Sequence, residues 1–193
     1  MTVAVLALQG AFAEHENVLK RLGVDCIELR QAKDLETPYD GIILPGGEST
    51  VQGKLLKELS MFDTIKSQIQ NGMPVLATCA GAILLAETID GQMKGQPEQY
   101  FGTIPMCIKR NAYGRQLGSF HTEASVAGIG TVPMTFIRAP YIASVGNGVE
   151  VLAVVEERIV GVKYKNQMAF SFHPELDPDM RIHKTFLSMI SNV

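Results

Sequence analysis

Cys79 follows a short apolar run and precedes two small residues, an arrangement that could make it a nucleophile. Residues 74–81 read Pro-Val-Leu-Ala-Thr-Cys-Ala-Gly. A buried strand that ends at Thr78 and gives way at once to a helix predicts the sharp turn of a nucleophile elbow, in which a small residue such as Gly81 lets the backbones approach. The positive end of the helix dipole favours a thiolate there. We therefore predict a nucleophilic cysteine rather than a structural one.

His173 and Glu175 could supply the base and the carboxylate that orients it. They lie in Phe-Ser-Phe-His-Pro-Glu, residues 170–175, directly after an apolar strand. Side chains two positions apart at a strand end can point the same way, so the carboxylate could fix the imidazole tautomer. Alone, this pattern also suits a structural ion pair; together with an elbow cysteine it favours catalysis.

A glycine-rich loop, Leu-Pro-Gly-Gly-Glu-Ser-Thr at residues 44–50, offers a third element of a site. A strand, a glycine turn and a helix start follow one another there, and successive backbone N–H groups in such a turn bind anions. The loop lacks the Gly-Lys-Ser/Thr ending of a phosphate-binding P-loop. In an acyl-transfer enzyme the N–H groups of Gly47 and Ala80 would instead stabilise the oxyanion.

The other cysteines and two of the histidines have no predicted chemical role. Cys26 and Cys107 lie in apolar runs, which predicts packing in the core, and the three cysteines lack the paired spacing of metal ligands. We expect no metal and no organic cofactor. His121 and His183 are predicted to lie on the surface, His183 on the polar face of the last helix.

The first half of the chain alternates short apolar runs with amphipathic stretches, which predicts a doubly wound, mostly parallel α/β sheet flanked by helices. The runs suit strands buried on both faces: Val3–Leu8, Cys26–Leu29, Ile42–Leu44 and Val75–Thr78. The predicted helix faces are Val18, Leu19 and Leu22, closed by Gly23, and Val51, Leu55, Leu56 and Leu59, capped by Ser49 and Thr50.

The second half is predicted to be rich in strands. The strand-like runs are Thr131–Ile137, Val149–Val155, Ile159–Tyr164 and Gln167–Phe172, with a possible hairpin across Lys165-Asn166. A final helix uses Ile182, Phe186, Leu187 and Ile190. No repeat or linker divides the chain, so residues 1–193 are predicted to form a single domain.

Composition excludes several classes of function. The 193 residues are 46% hydrophobic and carry a net charge of −3, without the basic surface that nucleic acids or anionic membranes require. No apolar stretch approaches the about 18 residues of a membrane helix. The first residues resemble a strand rather than a signal peptide, and an odd, sparse set of cysteines suits a reducing compartment, so we expect a cytoplasmic protein.

Taken together, the motifs resemble those of class I glutamine amidotransferases with a Cys-His-Glu triad, which have a flavodoxin-like sheet. More narrowly, the chain is similar to the glutaminase subunits of pyridoxal 5′-phosphate synthase, the PdxT family. The similar segments are Leu8–Ala11, Glu14-His15, Pro45–Ser49, Thr78–Gly81, Arg110–Gln116, Phe136–Pro140 and His173–Glu175. The resemblance covers nearly the whole chain, although Ala77 stands where the elbow often has glycine and the Asp90–Tyr100 segment carries no readable chemistry.

The resemblance implies an activity, a set of ligands and a partner. The enzyme would hydrolyse L-glutamine to glutamate and ammonia and pass the ammonia to a (β/α)₈-barrel synthase subunit that builds the vitamin B6 cofactor. The residues that would hold glutamine are Gly47, Glu48, Ser49, Arg110, Ile137 and Arg138. Docking of the synthase, for which Gln9–His15 is the candidate contact, could complete the oxyanion hole.

Three other interpretations stay open at this point. The chain could serve a different synthase, as in histidine or nucleotide biosynthesis, but Arg110–Gln116 and Phe136–Pro140 argue against it. It could be a hydrolase or peptidase of another α/β family, although the Gly46-Gly47 loop and His173-Pro174-Glu175 disfavour this. A binding module that has lost the reaction is disfavoured by the intact set of reactive residues.

Overall fold

The strands of the first half lie where the apolar runs predict them. The computed structural model describes residues 1–91, 99–110 and 119–191. The first elements in chain order are β1 (Thr2–Leu6), α1 (Phe12–Arg21), β2 (Asp25–Leu29), β3 (Gly41–Leu44), α2 (Ser49–Glu58), α3 (Phe62–Gln70), β4 (Val75–Thr78) and α4 (Ala80–Leu85). Gly23 ends α1 with a φ of 69°, a conformation that glycine adopts without steric cost.

The second half is rich in strands, as predicted. Its elements are β5 (Ala86–Ile89), β6 (Ile104–Lys109), β7 (Ser119–Val126), β8 (Gly130–Ile137), β9 (Tyr141–Val145), β10 (Glu150–Val155), β11 (Arg158–Tyr164), β12 (Gln167–Phe170) and α5 (Arg181–Ser191). β11 and β12 form the predicted hairpin, with Tyr164 opposite Gln167. β12 ends two residues before Phe172, the end of the predicted run.

Ten strands within the described residues form one mainly parallel sheet. Their order is β2-β1-β3-β4-β12-β11-β9-β6-β5, with β10 beside β11, while β7 and β8 pair separately. In the sheet order from β2 to β12, each strand runs parallel to the next one. The neighbouring strand β11 runs antiparallel to β12. Because β4 and β12 are parallel neighbours, their carboxyl ends at Thr78 and Phe170 meet at one edge, where open α/β sheets bind ligands.

Helices cover both faces of the parallel strands, which confirms the doubly wound α/β class. Alternate residues of β1 face opposite sides: Leu6 packs in the core layer beneath α2, α3 and α4, and Val5 in the layer beneath α1 and α5. Both are fully buried. The continuous apolar runs of the first half thus reflect burial on two faces rather than one.

The core-packing prediction is wrong for Cys26 and only partly right for Cys107. Cys26 is exposed, because β2 lies at the edge of the sheet and pairs only with β1 among the described strands. Cys107 is half-buried, because it lies on the opposite face of β6 from the buried Met106 and Ile108. Edge position depends on the tertiary order of strands, which a local run does not reveal.

The predicted buried face of α2 is also wrong in part. Val51 is 43% exposed, and the buried residues of the helix are Ser49, Gln52, Gly53 and Leu56. Gln52 is buried because its side-chain amide donates to the carbonyls of Gln9 and Pro45, at 2.9 and 3.2 Å. The helix begins at Ser49, so Ser49 and Thr50 do not cap it; Glu48 stands at the cap position without a side-chain hydrogen bond.

Candidate active site

The turn at Cys79 has the geometry of a nucleophile elbow. Cys79 lies between β4 and α4, and its φ of 48° and ψ of −102° fall in a backbone region that residues other than glycine rarely adopt. Its backbone N–H donates to the carbonyl of Phe170 at 2.8 Å, which ties the turn to β12. A Cβ at Gly81 would lie 2.0 Å from the carbonyl oxygen of Leu44, so only glycine fits there. The packing therefore explains the small residue that the sequence places after the cysteine.

His173 lies beside Cys79 because β12 runs next to β4. Its backbone N–H donates to the Thr135 carbonyl at 2.8 Å, which fixes the chain beyond the strand end. The imidazole packs on the backbone of Gly46, where a Cβ would come within 2.3 Å of its Cε1. Cys79 and His173 are both buried, and the Cys79 side chain beside the ring raises the pKa of the imidazole. The predicted nucleophile and base are thus brought together.

Glu175 completes the line on the far side of the imidazole. Its Oε1 lies 2.7 Å from Nδ1 of His173, so Nε2 is the ring nitrogen left for Cys79. Burial opposes charge on the imidazole, but hydrogen bonds and negative charges from Cys79 and Glu175 outweigh it and raise the pKa of His173 to about 10. Burial would likewise raise the pKa of Glu175, yet His15 and His173 hold it below its ordinary value. The arrangement favours an imidazolium paired with the Glu175 carboxylate.

The glycine loop is held in place from two sides. The N–H of Gly46 donates to Oγ1 of Thr78 at 3.1 Å, and its carbonyl accepts from Ala11 at 3.0 Å. The N–H of Glu48 donates to Oε1 of Gln9 at 2.7 Å. The peptide between Gly47 and Glu48 therefore has its N–H engaged by the Gln9 side chain.

A cavity of about 1040 Å³ opens in front of Cys79 and His173. The six residues predicted to bind glutamine all line it: Gly47, Glu48, Ser49, Arg110, Ile137 and Arg138. Ala80 is buried at the start of α4 and Glu175 lies behind His173. The sulfur of Cys79 is 3.9 Å from the carbonyl oxygen of Ile137, at the end of β8. Binding and oxyanion roles for these residues stay predictions.

Arg110 is oriented by two hydroxyl groups. Its Nη1 donates to Oγ1 of Thr50 at 3.1 Å and to the Tyr100 hydroxyl at 3.2 Å. These contacts hold a cation over the start of α2, at the cavity wall. The rest of the Arg110–Gln116 motif and most of the Asp90–Tyr100 segment lie outside the described residues.

One sequence profile decides the family. The profile described as the SNO glutamine amidotransferase family matches residues 5–192. The chain belongs to the SNO glutamine amidotransferase family. The predicted resemblance is confirmed, and with it the class of enzyme that acts on glutamine.

Relatives in this family match the whole chain. The chain is 60% identical over 192 residues to pyridoxal 5′-phosphate synthase subunit PdxT of Desulfitobacterium hafniense (strain Y51), covering 100% of this chain and 94% of the relative. The PdxT subunit of Streptococcus pneumoniae (strain ATCC BAA-255 / R6) is 53% identical, with coverage of 98% and 97%. A glutamine amidotransferase of known structure superposes with a TM-score of 0.91 at 42% identity, covering 98% of each chain. The structure of PurLQS from Thermotoga maritima shares the fold alone, with a TM-score of 0.69, 16% identity and coverage of 99% and 97%.

The surface prediction for His183 is wrong, whereas His121 is exposed as predicted. His183 is fully buried in α5, and its Nε2 lies 3.0 Å from Nδ1 of His15, which is also fully buried. A signal for this burial was present in the sequence. His15 precedes the apolar Val18 and Leu19 by three and four positions, the spacing of residues on one helix face. His183 stands in the same relation to Phe186 and Leu187.

The described residues contain neither a metal-binding cluster nor a membrane-spanning helix. No cluster of three or more His, Cys, Asp or Glu side chains there is arranged to hold a metal ion. No helix in that part of the chain has the length and apolar character to cross a membrane.

Proposed function

We propose that this member of the SNO glutamine amidotransferase family is the glutaminase subunit of a pyridoxal 5′-phosphate synthase. It hydrolyses the side-chain amide of L-glutamine and passes the ammonia to a synthase partner subunit. The observation that carries this proposal is that Cys79 and His173 line one cavity, with Glu175 hydrogen-bonded to His173. The 53–60% identity of full-length relatives that are PdxT subunits supports the choice of synthase.

The proposed reaction is acyl transfer through a thioester. The Cys79 thiolate attacks the amide carbon, and the His173 imidazolium donates its Nε2 proton to the leaving ammonia. His173 then accepts a proton from water, which attacks the thioester and releases glutamate. Glu175 keeps the Nδ1 proton of His173 in place throughout, so that Nε2 alone exchanges protons with the reacting atoms.

Glutamine is proposed to bind with its α-carboxylate toward Arg110 and its side-chain carbonyl toward the glycine loop. A guanidinium pairs with a carboxylate through charge-assisted hydrogen bonds. Glu48, Ser49, Ile137 and Arg138 line the same cavity and are proposed to complete the contacts. The N–H groups of Gly47 and Ala80 are proposed to stabilise the oxyanion.

The loop offers a physical basis for dependence on the partner. The Glu48 N–H is bonded to Gln9, and glycine at position 47 permits the adjoining peptide to reorient. We propose that docking of the synthase on the segment from Gln9 changes this loop and completes the oxyanion hole. The loss of one donor of such a hole costs about 10²–10³ in rate. His15, the last residue of the predicted contact segment, is buried and is excluded from the contact. The three unpaired cysteines favour the cytoplasm as the site of action.

The experiment is to measure ammonia release from glutamine by the purified chain while a (β/α)₈-barrel pyridoxal 5′-phosphate synthase subunit is titrated in. The rate should rise steeply and saturate at a fixed ratio, and the synthase alone should accept ammonium in place of glutamine. The Cys79→Ala variant is the matched control and should release no ammonia at any ratio. A chain that never releases ammonia, or that does so without responding to the synthase, contradicts the proposed partner.

A further inference from the structure

A row of buried polar side chains lies behind the proposed triad. Nε2 of His15 is 3.4 Å from Oε2 of Glu175 and 3.2 Å from Oγ1 of Thr78. Nδ1 of His15 is 3.0 Å from Nε2 of His183. His15 and His183 belong to α1 and α5, which cover the same face of the sheet. Two helices thus bring a pair of imidazoles to the carboxylate on which His173 depends.

The ionised carboxylate of Glu175 can only accept hydrogen bonds, and this fixes where the protons of the two imidazoles lie. Glu175 is ionised, so each of its oxygens accepts, and Nε2 of His15 must carry the hydrogen that faces Oε2. Nδ1 of His15 is then a lone pair, which accepts from Nε2–H of His183. Nδ1 of His183 has no hydrogen-bond partner among the described residues. A lone pair is less costly to bury there than an N–H group without an acceptor. Donation therefore runs from His183 to His15, and the Nε2–H group of His15 is placed against Thr78 and the carboxylate of Glu175.

Both imidazoles are neutral in this arrangement. Burial lowers the pKa of His15, against the opposing charge of Glu175 and together with the charge of His173. Burial and His15 lower the pKa of His183 to about 3. A protonated His15 would have lost the lone pair that accepts from His183, so neutrality and the observed contacts agree.

We propose that His15 is a positioning residue for the reaction, which holds the second oxygen of Glu175 so that the first stays on Nδ1 of His173. This proposal rests on the proposed function. A buried carboxylate oxygen without a donor is costly, and the carboxylate would rotate or take up a proton instead. Either change would loosen the 2.7 Å bond that fixes the tautomer of His173. His183 acts one step further back, by occupying the lone pair of His15.

The strength of the contact sets the expected effect. Nε2 of His15 forms its hydrogen bond with Oγ1 of Thr78, and Oε2 of Glu175, 3.4 Å from the same nitrogen, has no hydrogen bond among the described residues. A full hydrogen bond to a charged group would correspond to about 10- to 100-fold, and we expect the lower end, about tenfold in kcat, for its loss. KM for glutamine should change little, because His15 does not line the cavity.

The test compares variants that keep different parts of the imidazole. His15→Gln places an amide N–H₂ near the position of Nε2, whereas His15→Asn reaches only the position of Nδ1, and His15→Phe keeps the bulk without a donor. Asn17→Phe, on the exposed side of the same helix, is the control for a bulky change in α1. For each variant, kcat and KM are measured with the synthase present, the unfolding free energy is measured separately, and ¹⁵N spectra of the imidazoles report the tautomer of His15 and the pKa of His173.

The expected result is that His15→Phe and His15→Asn lower kcat about tenfold and lower the pKa of His173, while His15→Gln restores both. In the wild-type chain His15 should be the neutral Nε2–H tautomer. Should His15→Phe not fold, the Gln and Asn variants alone decide. The proposal is overturned if Gln and Asn give equal kcat and equal His173 pKa, or if His15 carries its proton on Nδ1. Wild-type chain that releases no ammonia with the synthase would instead refute the proposed function.

Discussion

Replacement of Glu175 by glutamine removes the charge and one acceptor while keeping the shape. Two ring N–H groups face the carboxylate: Nδ1 of His173 donates to Oε1 at 2.7 Å, and Nε2 of His15 lies 3.4 Å from Oε2. An amide has one oxygen and one N–H₂ group. In either orientation its N–H₂ group therefore faces one of the two ring N–H groups, and two donors oppose each other. If the N–H₂ group faces His173, the ring is driven to the wrong tautomer and cannot accept a proton from Cys79.

The magnitude follows from the two consequences. Loss of the correct tautomer in a nucleophile–histidine–acid triad costs about 10⁴ in kcat. Loss of the charge alone reduces the hydrogen bond between position 175 and Nδ1 of His173 to the strength of a bond between neutral groups. We therefore expect Glu175→Gln to lower kcat by about 10²–10⁴ with a small change in KM. The pKa of His173, about 10 in the wild-type chain, should fall as well, because the hydrogen bond and the negative charge of Glu175 both raise it.

The assay is ammonia release with saturating synthase, together with imidazole ¹⁵N titration. Glu157→Gln, an exposed carboxylate with the same chemical change, is the matched control and should behave as the wild-type chain. If Glu175→Gln keeps wild-type kcat, or if the pKa of His173 does not move, then Glu175 does not orient the imidazole and the reasoning fails.

Two further predictions concern packing and pH. A Cβ at position 46 would lie 2.3 Å from Cε1 of His173, so Gly46→Ala should displace the ring and lower kcat by about 10², while unfolding in urea shows a folded chain; wild-type kcat in this variant would contradict the ring position. Below pH 6.5 the unfolded His183 binds a proton that the folded residue, with a pKa of about 3, does not. The unfolding free energy should therefore fall with falling pH, by up to about 1.4 kcal/mol per pH unit from this residue. His183→Gln should flatten that slope between pH 6.5 and 3; a slope equal to that of the wild-type chain would show that His183 is not buried as a neutral ring.

Local sequence was enough to predict the strands and the turn that carry the site and to select Cys79, His173 and Glu175 as candidates. The elbow at Cys79 could be read because a buried strand, a small residue and a helix follow in fixed order, and each is a local requirement of a tight turn. The pairing of His173 with Glu175 was predicted from strand alternation, but both residues lie beyond β12. A 3₁₀ turn over Pro174–Leu176 brings the carboxylate to the ring. The hairpin of β11 and β12 followed from two strand-like runs separated by two turn residues.

What the sequence did not yield depends on distant packing. Cys26 looks like a core residue until the strand order puts β2 at the edge. The buried face of α2 includes Gln52 because a distant backbone at Gln9 accepts its amide, which no periodicity of apolar residues expresses. His15 and His183 stand at helical spacing from apolar residues of their own helices, but only the approach of α1 to α5 supplies the partners that allow imidazoles inside.

The most direct test of the account is to identify the cysteine that reacts with a glutamine analogue. A diazoketone analogue of L-glutamine, added to the chain with its synthase partner, should modify Cys79 in parallel with loss of ammonia release, and glutamine should protect. The exposed Cys26 and the half-buried Cys107 should stay unmodified, since neither has an imidazole partner in the site. Modification of either in place of Cys79, or ammonia release that survives in Cys79→Ala, would contradict the assignment of the nucleophile.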